Sequence, residues 1–153
     1  MAVSRRIFLM SAGVVTAGGL SLLAACSDEA VAKWKAQLTP RQYRVLRQDH
    51  TETPRSSALN TEKRKGVYAC AGCNNRLYSS AHKYESGTGW PSFYQPIDKG
   101  AVRRKADYGL HIPRTEIHCA DCGGHLGHVF DDGPKPTGLR YCMNGDAMLF
   151  IPA

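Results

Sequence analysis

From Gly66 onward, apolar and polar residues alternate over short stretches broken by turn-forming residues, the period of half-buried β-strands. Val67-Tyr68-Ala69 and Arg76-Leu77-Tyr78 flank one turn and Thr115-Glu116-Ile117-His118 leads into another. His125–Phe130, Leu139–Met143 and Met148–Ile151 supply later strands. Upstream the pattern changes. Thr39-Pro40 joins an N-cap residue to a proline at the first helical position, which predicts a short helix to about Gln48 with a narrow apolar stripe of Tyr43, Val45 and Leu46. Thr51-Glu52-Thr53-Pro54 ends it and opens a loop to Arg64. The expectation is a mainly β domain preceded by helix, with no coiled-coil heptad.

The first 32 residues read as targeting rather than fold. Arg5-Arg6 precede an apolar run from Ile7 to Ala25 that is rich in Gly, Ala and Val, the form of a twin-arginine signal peptide. A permanent membrane anchor is the competing reading, since the run is about long enough to span. Leu23-Ala24-Ala25-Cys26 resembles a lipobox that would lipidate Cys26, while Ala30-Val31-Ala32 offers a conventional cleavage site. Asp28–Lys35 is expected to be a polar tether. The domains are then 1–32, signal peptide and tether, and 33–153, one folded unit. Export places the mature protein in the periplasm or at an extracytoplasmic membrane surface, with attachment through Cys26 if that residue is lipidated.

Removing residues 1–25 takes away two of the twenty Lys and Arg and none of the thirteen Asp and Glu, which leaves a charge of +5. No basic run is interleaved with aromatics, so nucleic acid is not an expected partner. Arg103-Arg104-Lys105 and Lys63-Arg64-Lys65 read as solvated loops, and an anionic membrane surface would suit the charge equally well.

Cysteine spacing carries more information. Cys70-Ala-Gly-Cys73 and Cys119-Ala-Asp-Cys122 are two C-x-x-C turns, each directing two thiolates at one point, and together they match the tetrahedral donor set of a structural zinc ion. Disulfide pairing is one alternative, and a zinc site in which His118 or His111 replaces one cysteine is another. A twin-arginine route, which moves folded proteins, would let zinc load in the reducing cytosol and protect these thiols outside it.

Cys142 is left over. It follows His125 and His128 in the stretch HLGHVFDDGPKPTGLRYCMNGD, beside Arg140 and Asn144. A cysteine in a β segment is commonly a buried apolar residue, but imidazoles or a guanidinium nearby would lower its pKa and make it a nucleophile. In Ser86-Gly-Thr-Gly-Trp-Pro-Ser-Phe93, Trp90 and Phe93 are either core aromatics or an apolar surface at a pocket mouth. A zinc-ribbon binding module, and a metal hydrolase using His125, His128 and Asp131, are further readings of the same residues.

SGTGWPSF, the paired C-x-x-C turns, HLGHVFDDGP and RYCMN occur in the order and spacing of the methionine-R-sulfoxide reductases of the MsrB type, which the chain resembles from about residue 34 to 151. The resemblance implies two antiparallel β-sheets with short N-terminal helices and a four-cysteine zinc site, made by Cys70, Cys73, Cys119 and Cys122 and remote from the chemistry. It implies reduction of the R epimer of methionine sulfoxide in oxidised proteins. Cys142 is then the nucleophile, with His125, His128 and Asn144 in the catalytic site and Trp90 holding the substrate methyl; Phe93 and Arg140 are further candidate substrate-binding residues. The resolving cysteine that many members carry is replaced by Thr88, so a thioredoxin-like or other external thiol is the expected reductant, unless Cys26 serves as a distant resolving residue. A monomer is expected.

Overall fold

The computed structural model describes residues 18–109 and 112–153. The twin-arginine pair and His111 therefore lie outside the described residues, as does the side chain of Cys26. Two units divide the chain, Met1–Ala32 and Lys33–Ala153. Helix α1, Gly18–Gln37, runs through the segment expected to be a tether. Ala30, Ala32, Lys33, Lys35 and Ala36 are strong helix formers, which the polar reading of Asp28–Lys35 undervalued. Within the second unit the Arg47 guanidinium stacks 3.7 Å over the Trp34 ring and anchors the end of the helix. Among the described residues no helix is long and apolar enough to cross a membrane.

Helix α2, Pro40–Gln48, begins as its sequence predicts. Thr39 Oγ1 accepts from the Gln42 backbone N–H and the Gln42 side chain accepts from the Thr39 N–H, a capping box worth about 1 kcal/mol. It ends at Asp49 in the left-handed conformation and buries Val45 and Leu46.

The remaining chain forms two antiparallel sheets. Strands β1 (Gly66–Cys70), β2 (Arg76–Ser79) and β9 (Met148–Pro152) make a three-stranded sheet in the order β2-β1-β9. A six-stranded sheet has the order β3-β4-β8-β7-β6-β5, with β3 Lys83–Tyr84, β4 Ser92–Phe93, β5 Val102–Asp107, β6 Arg114–Cys119, β7 His125–Phe130 and β8 Arg140–Met143. Arg103-Arg104-Lys105, expected to be a loop, belongs to edge strand β5, where basic side chains keep the edge soluble and discourage pairing with other chains.

Register decides which side chains reach the core. Phe93 is opposite Tyr141, and Met143 is opposite Gly127, on the buried face. Phe93 stacks on Tyr78 at 4.4 Å and meets Tyr68 edge-on, while the Tyr78 hydroxyl donates to Met143 Sδ at 3.1 Å. Gly127 is required where β7 and β8 come closest: its φ is +152°, and a Cβ there would collide with the Cys142 carbonyl oxygen.

Candidate active site

One residue further along each strand, the period-two alternation brings the other face of the large sheet into play. Ser92 is opposite Cys142, Cys142 opposite His128, His128 opposite Glu116 and Glu116 opposite Lys105, so five strands contribute one polar row. Directly paired residues have Cβ atoms about 5 Å apart, which makes His128 and Ser92 the immediate cross-strand neighbours of Cys142.

Each histidine is held by a carboxylate. His125 Nδ1 is 2.8 Å from Glu116 Oε1, and His128 Nε2 is 2.8 Å from Asp107 Oδ2. Carboxylates accept, so the imidazole nitrogens facing them carry the protons and the opposite nitrogens are acceptors when the rings are neutral. His125 Nε2 is buried without a partner, on a residue only 3 % exposed. Burial pushes the His128 pKa down, against the opposing pull of Asp107, and keeps the ring neutral near pH 7. The Gly109 backbone N–H, then His128 and Arg114, hold Asp107 well below the usual carboxylate range. Burial works against the Glu116 carboxylate, but His125 and Lys105 outweigh it and leave its pKa lowered.

A cavity of about 130 Å³ is lined by Cys142, His128, Asn144, Trp90 and Phe130, among others. A larger one, about 420 Å³, adjoins it through the shared residues Thr51, Arg114 and His128, and His125, Glu116 and Asp107 line it. Cys142 is a partly buried free thiol. Burial raises its pKa, with Thr88, Arg140 and Ser92 pulling the other way. The lowered resting thiol pKa that neighbouring imidazoles suggested is thus not what this environment produces.

Sequence reasoning missed the residue that fixes two others. Glu52, 4 % exposed, accepts the Trp90 indole N–H on its carbonyl at 3.1 Å and donates its own N–H to Asn144 Oδ1 at 3.0 Å. Its carboxylate accepts from the Gly145 and Asp146 N–H groups at 2.8 and 2.7 Å. Asn144 Nδ2 donates to the Leu126 carbonyl, leaving its second amide hydrogen available in the cavity. No periodicity signals Glu52, because its ligands are backbone groups more than ninety residues away in sequence. Gly89 seats the adjoining loop: with φ +94°, its carbonyl accepts from Arg55 N at 2.7 Å.

One candidate residue is not brought to the cavity. Phe93 is fully buried in the core, since it follows Ser92 on a strand and faces the opposite side of the sheet. Arg140 stands two residues before Cys142 on the same face of β8, where it pulls the thiol pKa down, while it forms a two-pronged ion pair with Asp132 at 2.7 and 2.8 Å and stacks on Phe130 at 4.3 Å. The hydrolase reading fails on geometry as well. Asp131 is exposed, and among the described residues it does not come together with His125 and His128 as a possible metal-ligand set. Asp49, Glu116 and His125 do cluster, but the Lys105 ammonium 3.3 Å from Glu116 already neutralises that carboxylate.

Away from this face, the four C-x-x-C sulfurs converge. Cys70 and Cys122 Sγ are 3.7 Å apart and Cys73 and Cys119 Sγ 3.5 Å apart, too far for disulfides. A tetrahedron of thiolates about 2.3 Å from zinc has edges of about 3.8 Å, so these residues fit a metal ion. His118 is not part of the cluster. Arg47 donates to the Cys122 carbonyl at 2.8 Å and Gln37 to the Gly72 carbonyl at 2.6 Å, which ties α1 and α2 to both turns.

A family model described as the SelR domain matches residues 38–152. A protein of Leptospira interrogans named peptide methionine sulfoxide reductase MsrB is 56 % identical over 124 residues, 81 % of this chain and 92 % of the relative. Proteins of the same name from Agrobacterium fabrum and Methanosarcina barkeri are 51 % and 53 % identical, covering 79 % and 80 % of this chain and 90 % and 87 % of their own lengths.

Proposed function

The chain belongs to the SelR-domain family of MsrB proteins and is a peptide methionine sulfoxide reductase, and from that premise we propose that it reduces the R epimer of protein-bound methionine sulfoxide through Cys142, with an external thiol closing the cycle. The observation that carries this reading is the pairing of Cys142 with His128 across the sheet, at a cavity that also presents Trp90 and Asn144.

The chemistry follows from those groups. His128, its Nε2–H committed to Asp107, offers Nδ1 as a base to the Cys142 thiol. The thiolate attacks the sulfoxide, the imidazolium returns the proton to the sulfoxide oxygen, and that oxygen passes from methionine sulfur to cysteine sulfur. Methionine leaves reduced and Cys142 becomes a sulfenic acid, a two-electron exchange with no other reactant. A donor thiol then displaces water from the sulfenic acid to give a mixed disulfide, and a second thiol releases Cys142 as the thiol. The Trp90 ring receives the substrate methyl, the Asn144 amide positions the sulfoxide, and the fixed corners of wall, acid and nucleophile select the epimer.

With Thr88 in the loop beside Cys142, no internal disulfide partner is expected, and a thioredoxin-like protein is the proposed physiological donor. Cys70, Cys73, Cys119 and Cys122 would hold one zinc ion, which supplies structural cross-linking. Export by the twin-arginine route and lipidation at Cys26 complete the proposal and rest on the N-terminal sequence alone. The one-cysteine cycle is tested by reacting protein lacking residues 1–32 with stoichiometric methionine sulfoxide and no reductant. A dimedone adduct on Cys142 supports it; a loss of two hydrogens from the intact mass, marking an internal disulfide, overturns it.

A further inference from the structure

We propose that Thr88 is the hydrogen-bond donor that stabilises the Cys142 thiolate, as the terminal member of a switchable hydroxyl chain through Ser86 and Ser92. This rests on the reading of Cys142 as the nucleophile. Thr88 Oγ1 is 3.8 Å from Cys142 Sγ, Ser86 Oγ is 2.8 Å from Thr88 Oγ1 and 2.7 Å from Ser92 Oγ, and Ser92 Oγ is 3.1 Å from the Trp90 carbonyl oxygen. Each hydroxyl has a single proton to give, so the direction of the chain can be worked out from its ends.

The Trp90 carbonyl can only accept, so Ser92 donates to it. Ser86 must then donate to Ser92 and Thr88 to Ser86, which leaves a lone pair of Thr88 to accept the Cys142 S–H. Every donor is used while the thiol is protonated. Once the proton leaves sulfur, the Thr88 hydroxyl turns to donate to the thiolate, and Ser86 and Ser92 turn in sequence to follow it, without movement of any heavy atom. The chain is built into the fold at both ends. Ser92 is opposite Cys142 in the β4–β8 register, and Gly87 and Gly89, both at positive φ, hold Thr88 on the sulfur.

The other titratable and charged groups around Cys142 are less able to fill this role. They are His128 on β7, Arg140 on β8, Tyr84 on β3 and Arg114 on β6. His128 is kept neutral by burial, Arg114 and Arg140 are paired with Asp107 and Asp132, and burial raises the Tyr84 pKa. The Thr88 hydrogen bond, with Arg140 and Ser92 beside it, pulls the Cys142 pKa down against burial.

The test is the pH dependence of iodoacetamide modification in the metal-loaded full chain, read at the Cys142 peptide by mass. Thr88→Val should move the midpoint up and slow modification at pH 8 by roughly three- to tenfold, while Thr88→Ser stays close to wild type. Ser86→Ala, one link further back, should shift the profile in the same direction by less, and it carries the test if Thr88→Val does not fold. Superposition of the Thr88→Val and wild-type profiles, or a Thr88→Ser profile as displaced as that of Thr88→Val, would overturn the proposal. Turnover by Cys142→Ser would instead overturn the nucleophile reading, whatever the Thr88 variants do.

Discussion

At the scale of single residues, the site depends as much on what holds its reactive groups as on the groups themselves. Cys142, His125, His128, Asn144 and Trp90 were legible in the sequence because their residue types carry chemistry and their motifs carry a family pattern. Glu52 was not, although it joins the Trp90 indole, the Asn144 amide and the turn after Cys142 in one buried node. Glu52→Ala leaves the Gly145 and Asp146 N–H groups without their acceptor. The expected cost is roughly 2–4 kcal/mol of stability, since each buried donor left unmet costs about 1–3 kcal/mol. A severalfold rise in KM for methionine sulfoxide should accompany it as Trp90 and Asn144 lose their fixed orientation. Denaturant melts and steady-state kinetics on the same preparation check both; unchanged KM with lowered stability would confine Glu52 to folding.

At the scale of elements, strand register separates neighbours that the sequence treats alike. Trp90 and Phe93 stand in one motif, yet Phe93 pairs with Tyr141 on the core side while Ser92, one position earlier, faces Cys142. Sequence alternation identified most of the strands, but not which strands would be adjacent, and a two-residue strand such as β4 has too little pattern to orient. β5 was obscured for a different reason: its run of basic residues suits a solvated loop and an exposed sheet edge equally. That strand contributes Asp107, which holds His128 and raises its pKa against the effect of burial. Asp107→Asn removes the charge, so the His128 pKa should fall further below its wild-type value. NMR titration of the His128 ring is the measurement, and an upward shift would contradict the assigned pairing.

For the whole molecule, the C-x-x-C turns cross-link distant parts of the chain: one joins β1 to β2, the other β6 to β7, and Arg47 and Gln37 bind them to the helices. Metal held by these sulfurs contributes directly to folding free energy, because no such site exists in the unfolded chain. Removal of metal by a chelator, or Cys119→Ser, should therefore lower Tm sharply and abolish activity only together with native structure, as followed by circular dichroism and metal analysis. A metal-free Cys119→Ser protein with wild-type Tm would contradict this. The proposed chemistry lies elsewhere, on the polar face of the large sheet. Its most direct test is consumption of resolved R and S epimers of a methionine sulfoxide peptide by wild-type protein and Cys142→Ser, with dithiothreitol as reductant. The account predicts that wild type consumes the R epimer alone and that Cys142→Ser consumes neither; equal consumption of both epimers, or turnover without Cys142, would contradict it.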